Sequence, residues 1–185
     1  MKKSKITEER QKSQAMQSDR IVRPGATPCL LLVGDALEEL KRLPSETADM
    51  CITSPPYWAL RDYGVEGQLG LEPTFDNYIE KLCRIFDEVR KPPLIHPLGR
   101  NKRCVWTIPN KPFKEAHFAV YPPELIETPI RAGCPENGIV LDPFSGSGTT
   151  AEVALRLGRK AIGIDLNPEY IEMSKRRVEP FLKEK

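Results

Sequence analysis

Histidine is nearly missing from this chain. Only His96 and His117 occur in 185 residues, and the five cysteines (Cys29, Cys51, Cys83, Cys104, Cys134) include no Cys-x-x-Cys pair. Without such clusters no Cys/His metal site is expected. The cysteine number is odd and no export signal precedes it, which reads as reduced thiols filling the core of a cytoplasmic protein. No run of about 18 apolar residues exists, so no membrane span is expected. The opening stretch, MKKSKITEERQKSQAMQSDR, has lysines but no apolar segment behind them and does not read as a secretory signal. An excess of one charge sign is absent too. The formal net charge is only +2, so no global basic field announces a nucleic-acid partner. What remains fits one soluble globular domain, residues 25–185, behind a flexible polar tail, residues 1–24. The tail carries seven basic and three acidic side chains and could touch a phosphate backbone.

Within the domain, strand and helix patterns alternate. Cys29–Val33, Ala48–Thr53, Ile139–Asp142 and Ala161–Asp165 are short apolar runs that read as buried strands. Cys104–Ile108 reads as one more short strand. The segment Ala36–Leu43 has leucines at helical spacing, and Pro44 ends it. Thr74–Lys91 is amphipathic, with Tyr78, Leu82, Ile85, Phe86 and Val89 on one stripe and Thr74 as its N-cap. Pro122–Cys134 and Ser147–Gly158 follow as helices, the second closed by glycine. The last helix starts at Asn167, with Pro168 in its first turn, and runs to Val178. Such alternation predicts an α/β fold with a parallel sheet and helices on its faces.

Two turns carry chemistry. In DPFSGSGTTA, Asp142 to Ala151, the residues Gly146, Gly148 and Ala151 fit G-x-G-x-x-[G/A] between a strand and a helix. Asp165, at the tip of the following strand, is placed to accept hydrogen bonds from two ribose hydroxyls. Together they predict a nucleoside-bearing cofactor. The turn has no lysine, which argues against a P-loop. NAD fits the spacing, but Asp142 would crowd its anionic pyrophosphate. S-adenosylmethionine carries an ammonium and a sulfonium and no phosphate, so charge favours it.

The other turn is TSPPYW, Thr53 to Trp58, which ends a strand with a hydroxyl, two prolines and two aromatics. An exocyclic amino group of a nucleobase is a poor nucleophile, because its lone pair is delocalised into the ring. Acceptors that take its hydrogens localise that pair. Ser54 Oγ and the Pro55 carbonyl are candidates for those acceptors, since prolines present carbonyls without competing N–H donors. Tyr57 offers a flat face to a base swung out of the duplex. A plain proline turn with two core aromatics is the structural alternative.

With both turns in hand, the chain resembles the DNA amino-methyltransferases, which modify cytosine N4 or adenine N6 with S-adenosylmethionine. TSPPYW looks like their catalytic motif and DPFSGSGTT like their cofactor motif. LVGDALEEL resembles the segment whose acidic residue, here Asp35, meets the cofactor's adenine. AIGIDLNPEYIEMSKRRV resembles the ribose-binding strand and helix. The resemblance covers roughly residues 28–180, with the catalytic motif first, the permuted order of the beta class. It implies a Rossmann-like S-adenosylmethionine-dependent methyltransferase fold with a reduced, mostly parallel sheet. It implies Ser54, Pro55, Pro56 and Tyr57 as catalytic residues on a flipped base of DNA. It implies Asp35, Asp142, Pro143, Phe144, Gly146, Gly148, Thr149 and Asp165 as cofactor-binding residues. Serine at 54 leans toward cytosine N4, as in a modification enzyme of a restriction system; adenine N6 is the alternative.

One departure stands out. Members of that family usually carry a long segment between the helix that ends near Lys91 and the stretch beginning at Asn101. It supplies further strands and the part that reads the target sequence. Here only PPLIHPLGR fills the gap. The strand before Ser54 would then stand at an open sheet edge. A partner subunit, a second copy or the Cys104–Ile108 strand would cover it. Otherwise the chain is a non-catalytic, internally deleted remnant or an accessory subunit.

Overall fold

The computed structural model describes residues 28–89 and 121–182. The polar tail, the Cys104–Ile108 segment with Trp106, His117 and the shortened PPLIHPLGR connection lie outside the described residues. Those described form four strands and five helices. In chain order they are β1 (Cys29–Val33), α1 (Ala36–Arg42), β2 (Met50–Cys51), α2 (Phe75–Val89), α3 (Pro123–Gly133), β3 (Ile139–Asp142), α4 (Thr149–Arg156), β4 (Lys160–Asp165) and α5 (Pro168–Leu182).

All the strands run parallel in the order β1-β4-β3-β2. Leu31 pairs with Gly163, Leu141 with Ile162, and Cys51 with Leu141. Parallel strands cannot be joined by tight hairpins, so each connection crosses a sheet face and the faces acquire helices. Alternate side chains of a strand point to opposite faces, and the core divides accordingly. Val140 and Ala161 meet Ile126, Ile130, Val153 and Val178 from α3, α4 and α5. Leu141, Ile162 and Ile164 meet Ala36, Leu40 and Ile85 from α1 and α2. The sheet is thus the middle of three layers. Its four strand ends point the same way, and the turns that leave them gather along one rim.

The elements match the sequence pattern in type and order, with differences at their ends. β2 is shorter than the expected Ala48–Thr53 strand. Its ladder is continued by Asp49 N–H to the Ile139 carbonyl at 2.9 Å and Ile52 N–H to the Leu141 carbonyl at 3.0 Å. It stops there because Thr53 turns its side chain toward β3, and Pro55 and Pro56 have no N–H to pair. Among the described residues β2 does end the sheet. In α1, Asp35 is an N-cap, accepting the Glu38 N–H at 3.1 Å. Thr74 caps α2 through Asn77 N–H at 3.3 Å, in agreement with the sequence pattern. Of the expected stripe only Tyr78 and Ile85 are fully buried. α5 continues beyond Val178 and through Pro180 to Leu182, with one backbone bond fewer at the proline.

The cysteines of the described residues are free thiols. Burial pushes the Cys29 and Cys51 thiols up to about 12, which keeps them protonated and inert.

Stability should depend on the layer between the sheet and α3. Ile130 is wholly buried there, at 0 % exposure, while Leu60 is 64 % exposed. Urea unfolding of Ile130→Ala is expected to show a loss of about 2–5 kcal/mol. Leu60→Ala is expected to stay within about 0.5 kcal/mol of wild type.

Candidate active site at the carboxyl ends of the strands

One cavity of about 260 Å³ opens at the rim where the strands end. Open α/β sheets bind ligands there, because loops from neighbouring strands diverge and leave a crevice. Gly34 and Asp35 enter it from the end of β1. Ser54, Pro55, Pro56 and Tyr57 enter from the end of β2. Pro143, Phe144, Gly146 and Thr149 come from the turn after β3, and Asp165 from the end of β4. Each strand of the sheet therefore contributes, and segments far apart in sequence share one wall.

Asp142 and Gly148 are the two expected site residues that do not line this cavity. Asp142 is 2 % exposed and lies behind the wall. Its Oδ1 accepts the Thr53 hydroxyl at 2.6 Å and the Phe144 N–H at 3.1 Å. Its Oδ2 accepts the Thr150 hydroxyl at 2.5 Å and the Tyr121 hydroxyl at 3.3 Å. Tyr121 OH also contacts Thr150 Oγ1. Burial raises the Asp142 carboxyl above its ordinary range, opposed by these four donors. In this structure the Asp142 carboxyl is thus taken up by four donors of the protein and does not line the cavity, where the expectation had it beside the cofactor's ammonium. Gly148 turns away as well. It begins α4 at φ 80°, and a Cβ there would meet Ser174 Oγ at 2.7 Å. Glycine is required by left-handed backbone and by close packing on α5, not by a ligand.

Asp165 is on the wall. Its Oδ2 accepts the Gly146 N–H and its Oδ1 the Asn167 N–H, both at 2.8 Å. Burial pushes this carboxyl up to about 6, despite the two amides that favour its charged form. Beside it, Tyr63 and Tyr170 meet edge to face with centroids 6.4 Å apart. Ser145 also lines the cavity, and its buried Oγ has no hydrogen-bond partner among the described residues.

The turn after β2 is held open to the cavity by its neighbours. Tyr78 of α2 donates its hydroxyl to the Pro56 carbonyl at 2.9 Å. Trp58 Nε1 donates to the Glu72 carbonyl at 3.2 Å, and its ring meets Phe75 edge-on at 5.4 Å. Glu72 is the buried anchor of this loop. It accepts the Gly70 N–H at 2.8 Å and Lys81 Nζ at 2.9 Å. Burial pushes the Glu72 carboxyl up, but Lys81 and the amides of Glu72 and Gly70 together hold it below the usual range. Gly70, at φ 105°, passes so close that a Cβ would lie 2.7 Å from the Tyr57 carbonyl. Tyr57 itself is not a core residue: 53 % of it is exposed. Among the described residues, no hydrogen bond ties up the Ser54 hydroxyl or the Pro55 carbonyl. The arrangement offers a free hydroxyl, a free carbonyl and an exposed aromatic face at one end of a cavity, with two carboxylates, Asp35 and Asp165, toward the other.

Sequence reasoning does not single out Thr53, Tyr121 and Thr150 around Asp142, Tyr63 and Tyr170 beside Asp165, or Glu72 under the loop. Most of their contacts join distant stretches of chain, and no local spacing announces them. The hydroxyls of Thr53 and Thr150 at the two turns are the one available signal.

Comparison with known proteins bears on the fold and on the family this chain is similar to. The family model of the N6/N4 DNA methylases matches residues 95–176. The chain is 28 % identical to the Type II methyltransferase M.XycI of Xanthomonas campestris pv. cyanopsidis, across 87 % of this chain and 92 % of that protein. It is 27 % identical to the Type II methyltransferase M.Cfr9I of Citrobacter freundii, across 84 % of this chain and 88 % of that one. The chain is thus similar to DNA amino-methyltransferases along most of its length. The fold agrees: TTHA0409 of Thermus thermophilus, in a crystal structure complexed with S-adenosyl-L-methionine, superposes with a TM-score of 0.60 at 23 % identity, over 84 % of this chain and 96 % of that one. The alignment with M.XycI runs over 279 positions, more than the 185 residues present here, so that methyltransferase has a long segment with no counterpart in this chain.

The Asp165 carboxyl makes a testable contribution to stability. A carboxyl raised on folding holds its proton more tightly folded than unfolded. Its contribution is therefore fully present below the unfolded value of about 4 and is lost as pH rises through about 6. Relative to Asp165→Asn, wild type is expected to lose about 2 kcal/mol between pH 4 and pH 7, followed by urea unfolding at several pH values. A difference that stays constant with pH would show that Asp165 titrates normally.

Proposed function

We propose that this protein transfers a methyl group from S-adenosylmethionine to the exocyclic amino group of cytosine, N4, in DNA. The observation that carries the reading is the free Ser54 hydroxyl and Pro55 carbonyl, with the exposed face of Tyr57, on the same cavity as the glycine turn and Asp165. When bound, S-adenosylmethionine supplies an electrophilic methyl on a sulfonium. The residues present fit it. Asp35 and Asp165 would take the adenosine, Asp165 accepting from the ribose. Pro143, Phe144, Gly146 and Thr149 would border the methionine end. The buried, unpartnered Ser145 hydroxyl on that wall is a polar atom awaiting a partner.

The remaining work belongs to the turn after β2. Tyr57 stacks a base taken out of the duplex. Ser54 Oγ and the Pro55 carbonyl accept the two amino hydrogens, which bends the nitrogen toward tetrahedral geometry and localises its lone pair. Held this way, the nitrogen would stand in line with the methyl that bound S-adenosylmethionine would supply, and Ser54 Oγ would pass the surplus amino proton to water. Catalysis is mostly positioning. Cytosine is favoured over adenine by the serine of the Ser-Pro-Pro-Tyr turn. Adenine N6 presents an equivalent amino group and is the second reading.

Incubation with labelled S-adenosylmethionine and unmethylated genomic DNA, followed by mass spectrometry of the nucleosides, is expected to give N4-methylcytosine. Label in N6-methyladenine would reassign the base. No label from protein with a cooperative unfolding transition would overturn the enzymatic reading and favour an internally deleted or accessory form. Ser54→Ala is expected to slow methyl transfer about a hundredfold, with cofactor affinity within about twofold of wild type, as for one positioned polar group removed from an active site. Full activity of that variant would remove Ser54 from the mechanism.

A further inference from the structure

The turn that would hold the base and the turn that would hold the cofactor leave different strands, yet transfer needs them in register to a fraction of an ångström. The backbone ladder cannot supply that register. Its last bond between β2 and β3 is Ile52 N–H to the Leu141 carbonyl, and the following Pro55 and Pro56 have no N–H. One side chain continues where the ladder stops. Thr53 Oγ1 donates to Asp142 Oδ1 at 2.6 Å, and the same oxygen accepts the Phe144 N–H at 3.1 Å. The other oxygen of Asp142 accepts Thr150, in the first turn of α4, at 2.5 Å. A single buried carboxylate is thus shared between the residue before Ser54 and the first turns after β3.

We propose that Thr53 is a positioning residue for methyl transfer: through Asp142 it sets the amino-holding turn at a fixed distance from the cofactor turn. This rests on the reading of function given above, in that Ser54 and Pro55 hold the amino group. A side-chain bond at this point is short, charge-assisted and enclosed, so it is stiffer than a solvent-exposed loop contact. Ser54 is covalently next to it and inherits its position. On the far side, the Tyr78 bond to the Pro56 carbonyl pins the other end of the turn, so the two acceptors hang between two fixed points.

Thr53→Val keeps the shape and removes the hydroxyl; Thr53→Ser keeps the hydroxyl. In Thr53→Val the kcat for methyl transfer is expected to fall at least about tenfold. KM for DNA and Kd for S-adenosylmethionine are expected to stay within about threefold, and Thr53→Ser to restore kcat to within about threefold of wild type. Equal losses in Val and Ser, or a loss confined to KM, would overturn the proposal. Should Thr53→Val not fold, Thr53→Cys replaces it; its weakly donating thiol should place kcat between those of the Ser variant and the background. Amide hydrogen exchange gives a readout independent of activity. Exchange at Ile52 and Phe144, whose amides bond the Leu141 carbonyl and Asp142 Oδ1, is expected to rise at least about tenfold in Thr53→Val but not in Thr53→Ser, with β4 unchanged. A wild type that transfers no methyl group would refute the function while exchange still decides the tie. Unchanged exchange would refute the tie whatever the activity.

Discussion

A carboxylate buried at the tip of a central strand is costly unless donors replace the water it has lost. Asp142 is such a group, and the arrangement of this rim follows from meeting its needs. Two hydroxyls, one phenol and one amide converge on it, from the turn after β2, the start of α4, the segment leading into α3 and the turn after β3. None of these segments could shift alone without leaving a buried acceptor short of a donor. That shared constraint explains why four separate stretches of chain form one cavity wall and not four independent loops. It also places the charge where it organises the wall and does not form it.

The long connection after Tyr57 is built on the same logic. Glu72 is buried, but a lysine and two backbone amides hold its carboxyl in the charged form. It fastens Gly70 beneath the Tyr57 backbone, and its carbonyl holds Trp58. The aromatic rings of Trp58 and Phe75 then pack edge-on beside it. Tyr57 is left outside this cluster, with its ring uncovered. An exposed tyrosine on a rigidly anchored backbone is what a stacking platform needs: a face free to receive a ring and little entropy to lose on doing so.

The strands, the helices and their order are legible in the sequence, because each rests on local periodicity and on helix-end signals such as Thr74 and Gly158. So is the gathering of both motif turns at one rim, since parallel strands leave no other place for them. The β2 bounds are not. A residue at the end of a sheet takes its strand conformation from one neighbour only, and two prolines beyond Ile52 end that pairing sooner than the apolar run suggests. The role of Asp142 is hidden for a related reason. Sequence places it at a strand tip beside the glycine turn, but does not say which way its side chain leans. Three hydroxyls from positions 53, 121 and 150 settle that, and they come together only in three dimensions.

The placement of β2 has a consequence for how little of the sheet the chemistry requires. In the order β1-β4-β3-β2, the two central strands β4 and β3 carry Asp165 and the glycine turn, while β1 and β2 carry Asp35 and Ser54. Every proposed contact to cofactor and base therefore arises from four adjacent strands. The longer segment of a relative such as M.XycI, which has no counterpart here, is not needed to complete that set of side chains. What such a segment can add lies elsewhere: cover for the free side of β2 and surface to read bases in a groove. With Ile52, just past β2, the last residue to join the ladder and Thr53 fastened to Asp142, the end of β2 is held from inside the sheet by a side chain. The geometry of the turn after β2 thus rests on β3 through Thr53 and on α2 through Tyr78.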